Sequence, residues 1–317
     1  MILRLVSSVK IGEKHLLPLR EAFPQVDFIV GSSLAEVRDA LREAEVFVTY
    51  GSDLGEEELR IAEKLKWIQV FAAGVNRMPL EPLRRRGITV ANARGVHAVP
   101  ITEYVFGMML QHVRQLPRIL ENQRIRCWDR SLLFAELCDK HLGIVGVGSI
   151  GQRIAAVAQA FGMNVVCVNR SGQSVPGVVE VVPVANLRQI LPRCDFLVLV
   201  LPSTPETRGL IGASELAQLP PHAVLINVAR GDVVDETALL GALREKRLAR
   251  AILDVFAQEP LPPEHPFWEM ENVWISPHSA GLSPGYTQRC VAILRENLTA
   301  YFTGEAMRNQ VDLSRGY

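Results

Sequence analysis

Short runs of apolar residues alternate with amphipathic stretches along almost the whole chain. A first series of apolar runs lies within the first 93 residues and reads LRLVS, VDFIV, EVFVTYG, WIQVFAA and ITVANA. Segments with helical spacing of apolar residues, such as GEKHLLPLREAF and LAEVRDALREA, separate these runs. This alternation is typical of βα units, which build a parallel sheet with helices on both faces.

A second series of apolar runs follows: HLGIVGVG, MNVVCVN, DFLVLVLP, AVLINVA, RAILDVF and NVWISPH. Strands this uniformly apolar belong to a sheet that is covered on both sides. Between the two series, residues 98–123 have helical spacing over an unusual length, which fits either a helix linking two domains or the face of a dimer. The final helical stretch, residues 285–304, has no strand of its own and is predicted to pack on the first domain.

These patterns predict an α/β protein with two doubly wound parallel-sheet domains. The chain has 317 residues, more than a typical single domain. We expect a Rossmann dinucleotide-binding domain at residues 99–284. It would be inserted into a discontinuous, flavodoxin-like substrate-binding domain made of residues 1–98 and completed by residues 285–317.

Composition narrows the possible partners. Lys plus Arg and Asp plus Glu each number 34, so net charge gives no reason to expect binding to nucleic acid or to an acidic membrane surface. The longest apolar runs, such as FLVLVL, fall far short of the roughly 20 residues of a membrane span. The five cysteines form no C-x-x-C pair, which argues against a disulfide framework or a metal site and favours a reducing cytoplasm.

The strongest motif is G-x-G-x-x-G at Gly146, Gly148 and Gly151. It follows an apolar strand and opens an amphipathic helix, the context in which the motif indicates dinucleotide binding. The amides around Ser149 and Ile150 would then point at phosphate from the helix N-terminus. Three structural glycines in an ordinary βα turn are the alternative.

An acidic residue that binds the adenosine ribose is expected about 20 residues later, at the end of the next strand. This chain instead has Asn169, Arg170 and Ser171 there. The absent negative charge and the planar cation favour a 2′-phosphate, so we expect NADP(H) to be preferred, with NAD(H) also possible. An exposed loop with a solvated arginine is the alternative.

Three charged residues follow apolar strands of the second series: Arg230 in NVARGD, Glu259 in DVFAQEP and His278 in ISPHSAG. Residues at the carboxyl ends of such strands face the ligand crevice. Together they suit reduction of a 2-oxo acid: Arg230 clamps the carboxylate, His278 donates a proton to the carbonyl oxygen, and Glu259 orients the imidazole. After the third strand of the first series, Tyr50 is a candidate for the wall of the substrate pocket.

Several long segments resemble the D-isomer-specific 2-hydroxyacid dehydrogenases. These are GIVGVGSIG, LPSTPETRGLI, LINVARGDVVDETALLGAL, AILDVFAQEPLP and NVWISPHSAG, which cover nearly all of residues 140–285. The likeness continues more loosely through FAAGVN, GVHAVPITEYV and CWDR. The Asn-Arg-Ser stretch and PEHPFWEMENVWISPH are similar to the NADPH-preferring glyoxylate/hydroxypyruvate reductases of that family, whereas its NAD-using majority carry Asp where this chain has Asn169.

The resemblance implies Arg230, Glu259 and His278 as the catalytic set. It also implies a homodimer built through the nucleotide domains, and that Trp128 is either ordinary aromatic packing or a residue reaching a neighbouring active site. The resemblance also implies binding roles. The backbone amides of Gly74 and Val75 would hold the substrate carboxylate. Asp254 would contact the nicotinamide carboxamide, and Pro202 and Thr207 would flank the nucleotide.

The sequence therefore predicts a cytoplasmic NADPH-dependent reductase of small 2-oxo acids such as glyoxylate or hydroxypyruvate. One alternative is a D-3-phosphoglycerate dehydrogenase, which would need a cationic phosphate pocket; Arg77 is the one obvious candidate for it. The other is a nucleotide-sensing, corepressor-like binding protein on the same scaffold.

Overall fold

The apolar runs of both series form parallel strands in a computed structural model that describes residues 2–75 and 77–314. Met1, Asn76 and residues 315–317, which the predicted substrate-binding domain includes, lie outside the described residues. The chain divides into a first unit, Met1–Val96 with Ser283–Tyr317, and a second unit, His97–Leu282. The predicted substrate-binding domain ends at residue 98 and resumes at residue 285.

The amino-terminal part of the first unit alternates strands and helices. Its strands are β1 (Leu3–Ser7), β2 (Val26–Val30), β3 (Val46–Thr49), β4 (Trp67–Val70) and β5 (Thr89–Ala91). Its helices are α1 (Glu13–Ala22), α2 (Leu34–Val37), α3 (Glu56–Ile61) and α4 (Leu80–Arg85). The sheet has the order β2-β1-β3-β4-β5, with every pairing parallel. That order is the flavodoxin-like doubly wound arrangement.

The second unit holds the larger sheet. Its strands are β6 (His141–Val145), β7 (Asn164–Asn169), β8 (Glu180–Pro183), β9 (Phe196–Leu199), β10 (Val224–Asn227), β11 (Arg250–Leu253) and β12 (Val273–Ile275). Its helices are α5 (Ala98–Val113), α6 (Leu116–Arg124), α7 (Ser149–Ala160), α8 (Leu187–Ile190), α9 (Ala213–Leu216) and α10 (Glu236–Arg244).

The order of the larger sheet is β12-β11-β10-β9-β6-β7-β8, again parallel throughout. The chain starts in the middle at β6, runs outward through β7 and β8, and then crosses back to β9. This is the Rossmann order with one added strand, and it places a switch point between β6 and β9, where ligands bind in such sheets. Both sheets confirm the predicted fold class.

The uniformly apolar strands are buried because helices cover both faces of each sheet. All four residues of β9 and of β10 are buried, and one core on each side of the larger sheet packs against them. The last helix, α11 (Tyr286–Thr303), packs through Cys290, Leu294 and Leu298 on the core of the first unit. None of the helices in residues 2–75 and 77–314 combines the length and the apolar character needed to cross a membrane.

The stretch 98–123, which has helical spacing throughout, is two helices rather than one. Gln115 lies between α5 and α6 with a φ of 54°, in the left-handed region. Pro117 follows in the first turn of α6, where a proline starts a helix well but cannot continue the preceding one. The periodicity survives the break, which explains why spacing alone did not show it.

Candidate active site

Loops that follow the strands of the larger sheet carry the candidate residues of the second unit. The glycine motif follows β6, Asn169 ends β7, and Pro202 and Thr207 follow β9. Arg230 follows β10, Asp254 and Glu259 follow β11, and His278 follows β12. Because all these strands are parallel, their carboxyl ends share one edge of the sheet. The topology therefore puts the loops of Arg230, Glu259 and His278 at one edge, while the roles of these three residues stay predictions.

The turn between β6 and α7 holds the three glycines of the motif. Gly146 has a φ of 107°, and a Cβ atom there would lie 2.6 Å from the carbonyl oxygen of Val200. A Cβ atom at Gly151 would lie 2.1 Å from the carbonyl oxygen of Gly146, so helix and turn pack too closely for a side chain. Gly148 has open space where a side chain would stand. The outer glycines thus serve packing, and the middle one leaves its backbone open to a ligand.

Helix α7 begins at Ser149, directly after this open position. Gly148 is its N-cap and has no side chain to satisfy the first amides. The first amides of a helix have no carbonyl partner within the helix, and the helix dipole makes them attractive to anions. The amides of Ser149 and Ile150 belong to this turn. The site therefore fits the pyrophosphate of a dinucleotide, as the motif predicts.

The loop after β7 is shaped by Asn169. Its Oδ1 accepts hydrogen bonds from the amides of Ser171, at 3.1 Å, and Gly172, at 2.6 Å, and its Nδ2 donates to the carbonyl of Gln173 at 2.8 Å. Its carboxamide thus closes its own turn and leaves Arg170 exposed beside it. In the described part of the chain Arg170 forms no ion pair. The contacts of Asn169, Arg170 and Ser171 with a cofactor stay predictions.

The loop after β9 is fixed by Thr207. Its hydroxyl donates to the carbonyl of Pro202 at 2.7 Å and accepts from the amide of Thr204 at 2.7 Å. Hydrogen bonds from Thr204 and from its own backbone, together with the charge of Arg170, hold the pKa of Glu206 below its usual value. Because β6 lies between β7 and β9 in the sheet, the loops after β7 and β9 flank the glycine turn.

His278 and Glu259 are directly bonded. His278 Nδ1 lies 2.8 Å from Glu259 Oε2. The other carboxylate oxygen, Oε1, accepts from the amide of Phe256 at 3.0 Å, which fixes the carboxylate against its own loop. His278 adopts a φ of 51° in the left-handed region, an unusual conformation for a residue with a side chain. Such strained positions cluster at functional sites.

Glu259 stays ionised in this setting. Partial burial would raise the pKa of its carboxyl group, but hydrogen bonds from His278 and Phe256 and the charges of His278 and Arg230 lower that pKa below its usual value. The carboxylate therefore accepts a hydrogen bond from the imidazole and orients it. Since Glu259 takes Nδ1, the nitrogen left to act on a substrate is Nε2.

Asp254 supports the turn that carries His278. Its side chain is buried, with 2 % of the residue exposed. Its Oδ1 accepts from the amide of Ser279 at 2.8 Å and from the hydroxyl of Ser276, and its Oδ2 accepts from the amide of Ala280 at 3.0 Å. The backbone carbonyl of Asp254 also accepts from the amide of His278 at 2.8 Å. The predicted contact of Asp254 with a nicotinamide stays a prediction.

The turn after β10 presents Arg230. Asn227, buried at the end of the strand, donates from Nδ2 to the carbonyl of Arg230 at 3.0 Å and accepts from the amide of Ala229 at 3.0 Å. The next residue, Gly231, packs against the backbone of Phe256. Arg230 itself is exposed at the sheet edge, where its guanidinium donates to the carbonyl of Ala229 at 2.6 Å.

The predicted substrate-binding residues lie in the first unit. Tyr50 follows β3 and is 49 % exposed. Gly74 and Val75 follow β4, with Gly74 exposed and Val75 buried. Among residues 2–75 and 77–314, none has a heavy atom within 4 Å of the position that a Cβ atom at Gly74 would take. Arg77, the candidate for a phosphate pocket, is exposed.

Sequence reasoning missed the buried polar residues that support these loops. Asn227 holds the Arg230 turn, and Ser276 bonds both Asp254 and the hydroxyl of Tyr104, at 2.7 Å in the latter case. A signal was available for Asn227, since it is a polar residue at the end of a strand that is otherwise apolar. Tyr104 gives no such signal, because a tyrosine at helical spacing is ordinary core packing.

Comparison with known proteins agrees with this geometry. The sequence profile described as "D-isomer specific 2-hydroxyacid dehydrogenase, NAD binding domain" matches residues 106–280. The chain is 34 % identical over 283 residues to the glyoxylate reductase of Aeropyrum pernix, covering 86 % of this chain and 84 % of that protein. It is 31 % identical over 300 residues to the D-3-phosphoglycerate dehydrogenase of Methanocaldococcus jannaschii. That match covers 94 % of this chain but 57 % of the relative, so the chain spans little more than half of that protein.

A solved structure agrees with these sequence comparisons. The chain superposes on the NADPH-dependent glyoxylate/hydroxypyruvate reductase of Sinorhizobium meliloti, solved in complex with NADP and sulfate, with a TM-score of 0.79 and 29 % identity. The superposition covers 99 % of this chain and 100 % of that one. These matches confirm the resemblance seen in the sequence motifs. The chain belongs to the family of D-isomer specific 2-hydroxyacid dehydrogenases.

Proposed function

We propose that this protein reduces a small 2-oxo acid, such as glyoxylate or hydroxypyruvate, to the D-2-hydroxy acid, with NADPH in preference to NADH. The observation that carries the proposal is the 2.8 Å hydrogen bond between His278 Nδ1 and Glu259 Oε2, on the sheet edge that also bears the open glycine turn. This pairing supplies an oriented proton donor next to a nucleotide site. The second unit would bind the dinucleotide and the first unit the substrate.

His278 would donate the proton to the carbonyl oxygen of the substrate from Nε2. Glu259, being ionised, accepts a hydrogen bond from Nδ1 and so holds the imidazole with Nε2 directed to the substrate. Bound NADPH would supply the hydride to the carbonyl carbon. In the reverse direction the same imidazole would accept the proton of the hydroxyl group.

The remaining roles concern binding of the substrate. Arg230 would clamp the carboxylate through its planar guanidinium and polarise the neighbouring carbonyl. The backbone amides of Gly74 and Val75 would also donate to that carboxylate, and Tyr50 would form part of the pocket wall. These proposed contacts with the carboxylate would explain why the substrate is a 2-oxo acid rather than an aldehyde that lacks a carboxylate.

The proposed preference for NADPH rests on the loop after β7. Arg170 is exposed and forms no ion pair among the described residues, so its guanidinium is available to a 2′-phosphate. Asn169 contributes no negative charge that would repel that phosphate, and the turn it closes fixes the backbone of Ser171. The structure similar to this chain that was solved with NADP supports the same choice.

We also propose a homodimer formed through the second unit. The helix α6 and the segment that follows it expose large apolar side chains that a partner would cover: Leu120 is 65 % exposed, Ile125 58 %, Trp128 91 % and Leu133 87 %. Exposed apolar surface of this extent marks an interaction site.

The five cysteines are free thiols, which supports a location in the reducing cytoplasm.

A panel of 2-oxo acids, each assayed with NADPH and with NADH, tests the proposal. We expect glyoxylate or hydroxypyruvate to give the highest kcat/KM, with a higher value for NADPH than for NADH. A strong NADH preference would contradict the assignment of the Arg170 loop. Absence of turnover with every 2-oxo acid would favour the nucleotide-sensing binding protein.

D-3-phosphoglycerate oxidation is the second candidate, favoured by the 31 % identity to the Methanocaldococcus jannaschii enzyme. It would require a cationic site for the substrate phosphate near the Gly74 loop, where Arg77 is exposed. Including 3-phosphohydroxypyruvate in the panel decides between the two. We expect it to be a poorer substrate than hydroxypyruvate.

A further inference from the structure

The segment that follows β4 in the first unit has its carbonyl groups held by fixed donors. The carbonyl of Ala73 accepts a hydrogen bond from Asn92 Nδ2 at 2.8 Å, and the carbonyl of Ala72 accepts from the amide of Ala93 at 2.9 Å. One residue earlier, the carbonyl of Phe71 accepts from the hydroxyl of Tyr286. Three consecutive carbonyls are thus fixed by two segments of the chain, one at Asn92 and Ala93 and the other at Tyr286.

These bonds determine where the following amide points. In a trans peptide the carbonyl and the N–H of the same unit point in opposite directions, because the unit is planar. The carbonyl of Ala73 and the N–H of Gly74 belong to one such unit. When Asn92 holds that carbonyl, it also aims the Gly74 N–H away from Asn92.

The two amides after this point are available to a ligand. In residues 2–75 and 77–314, no hydrogen bond is donated by the backbone N–H of Gly74 or of Val75. The space beside Gly74 is open in the described part of the chain, where no heavy atom lies within 4 Å of its missing Cβ position. The open space lies at Gly74, whereas the side chain of Val75 is buried and holds the loop in place. Two adjacent N–H groups without a partner are suited to a carboxylate, which has two acceptor oxygens and makes strong bonds to such donors.

Asn92 is itself rigidly placed. It is buried, with 6 % of the residue exposed. Its Oδ1 accepts from the amide of Arg94 at 3.1 Å, and its own amide donates to the carbonyl of Asn309 at 3.1 Å. Its carboxamide therefore has both ends bonded, and its orientation does not depend on a ligand.

Tyr286 is the second anchor, at the first residue of α11. Burial and the neighbouring Cys290 raise the pKa of its hydroxyl well above the usual range. The hydroxyl therefore stays protonated and remains a donor at every pH at which an enzyme of this kind works.

We propose that Asn92 and Tyr286 are positioning residues that fix the loop so that the N–H groups of Gly74 and Val75 face the carboxylate of the substrate. This inference rests on the proposed function, because it assigns those amides to a 2-oxo acid. It assigns the orientation of the two amides to two side chains that are remote from the loop in sequence. Neither side chain needs to touch the substrate.

The test uses the full chain with Asn92→Ala and Tyr286→Phe. Each loses its hydrogen bond to a carbonyl of the loop, so we expect KM for glyoxylate to rise about tenfold for Asn92→Ala and about threefold for Tyr286→Phe. We expect kcat to stay within about twofold, and the Kd for NADPH, whose proposed site lies in the other unit, to stay unchanged. Tyr301→Phe is the matched control, since it removes a hydroxyl from the same helix without touching the loop.

A substrate without a carboxylate distinguishes the proposed positioning role from a merely structural one. The methyl ester of glyoxylate lacks the anionic group, so we expect its kcat/KM to be the same in wild type, Asn92→Ala and Tyr286→Phe. Equal losses for acid and ester would overturn the proposal, and so would an unchanged KM for glyoxylate in both variants. Tyr286→Phe keeps the ring and its packing, so the test survives if Asn92→Ala fails to fold.

Calorimetric titration with oxalate separates this inference from the proposed function. If wild type binds oxalate and both variants bind it more weakly by the factors given above, the positioning roles stand even when no 2-oxo acid is turned over. If wild type with NADP does not bind oxalate, the carboxylate site is wrong. If wild type reduces glyoxylate while both variants match it in KM and in oxalate affinity, the proposed function stands and this inference falls.

Discussion

Gly231 lies against the backbone of Phe256 so closely that a Cβ atom at Gly231 would be 1.9 Å from the carbonyl carbon of Phe256 and 2.1 Å from its oxygen. Gly231 directly follows Arg230, and Phe256 donates its amide to Glu259. The contact thus joins the loop that carries the arginine to the loop that carries the glutamate. Backbone atoms form it on both sides, so neither loop can yield by turning a side chain.

Replacing Gly231 with Ala should therefore damage both stability and activity. The added methyl group must push the two loops apart, which we expect to lower the free energy of unfolding by about 1–3 kcal/mol. Because Arg230 and Glu259 move with their loops, kcat/KM should fall at least about tenfold. Thermal unfolding and steady-state kinetics measure the two effects.

Gly241→Ala is the matched control. It lies inside α10, and no heavy atom is within 4 Å of its missing Cβ position. Alanine there should raise stability by about 0.5–1 kcal/mol, because glycine is the poorer helix former. A Gly231→Ala variant as stable and active as wild type would show that the loops tolerate separation.

The pair of His278 and Glu259 can be tested with substitutions that suit the backbone. Asn tolerates the left-handed conformation that His278 adopts, so His278→Asn should fold while losing the proton donor. We expect kcat for reduction to fall about 10²- to 10⁴-fold. Glu259→Gln keeps an acceptor for Nδ1 but replaces a charge-assisted hydrogen bond with a neutral one, so its loss should be smaller, about 10- to 100-fold.

The Kd for NADPH is the control for both variants, and fluorescence titration should show it unchanged. Because the two residues act through one hydrogen bond, the double variant should lose little more than His278→Asn alone. Turnover by His278→Asn within a factor of ten of wild type would remove His278 from the mechanism.

Sequence patterning predicted the fold well because both sheets are buried on two faces. The strand FLVL is apolar at every position and VLIN at every position but its last, Asn227. Parallel βα order follows from the alternation of such strands with helices. The glycine motif predicted a Rossmann domain, and it follows β6, the central strand at which the larger sheet starts. The break at Gln115 was missed, since apolar spacing continues across it and the left-handed residue carries no glycine signal.

The candidate site was predicted in part for a related reason. Arg230, Glu259 and His278 each follow an apolar run within a few residues, so their common edge could be predicted from the sequence. The supports of the site could not, because they depend on contacts distant in sequence. Asn92 bonds Ala73, Tyr286 bonds Phe71, and nothing local marks either pair. The role of Asn169 in its own turn is local. It could not be predicted from spacing, because an acid or an amide at this position lies at the same distance along the sequence from the glycine motif.

Arg170→Ala tests the basis of the cofactor preference. Loss of a guanidinium from a phosphate should raise KM for NADPH about 10- to 100-fold and leave KM for NADH within about twofold. The comparison of the two cofactors corrects for any general damage to the loop. Arg244→Ala, an exposed arginine at the end of α10, should change neither value. Equal effects of Arg170→Ala on both cofactors would mean that Arg170 is only solvated.

His112 makes stability depend on pH in a defined window. Its ring packs edge-on against Phe196, with centroids 6.1 Å apart, and Trp274, with centroids 6.4 Å apart. Burial, together with the charge of Arg250, lowers the pKa of His112 to about 4 in the folded protein. In the unfolded chain a histidine has a pKa of about 6.5.

Between these two pKa values the unfolded chain binds a proton that the folded protein does not. The free energy of unfolding should therefore fall as pH drops from about 6.5 towards about 4, and His112 should contribute no change above or below that window. The slope cannot exceed about 1.4 kcal/mol per pH unit for one proton. His112→Gln removes the titrating group, so the difference between wild type and variant in urea midpoint should depend on pH within the window. As a control, His15→Gln in α1 should leave the pH dependence of wild type in place. Parallel profiles of urea midpoint against pH for wild type and His112→Gln would show that His112 is accessible to protons when folded.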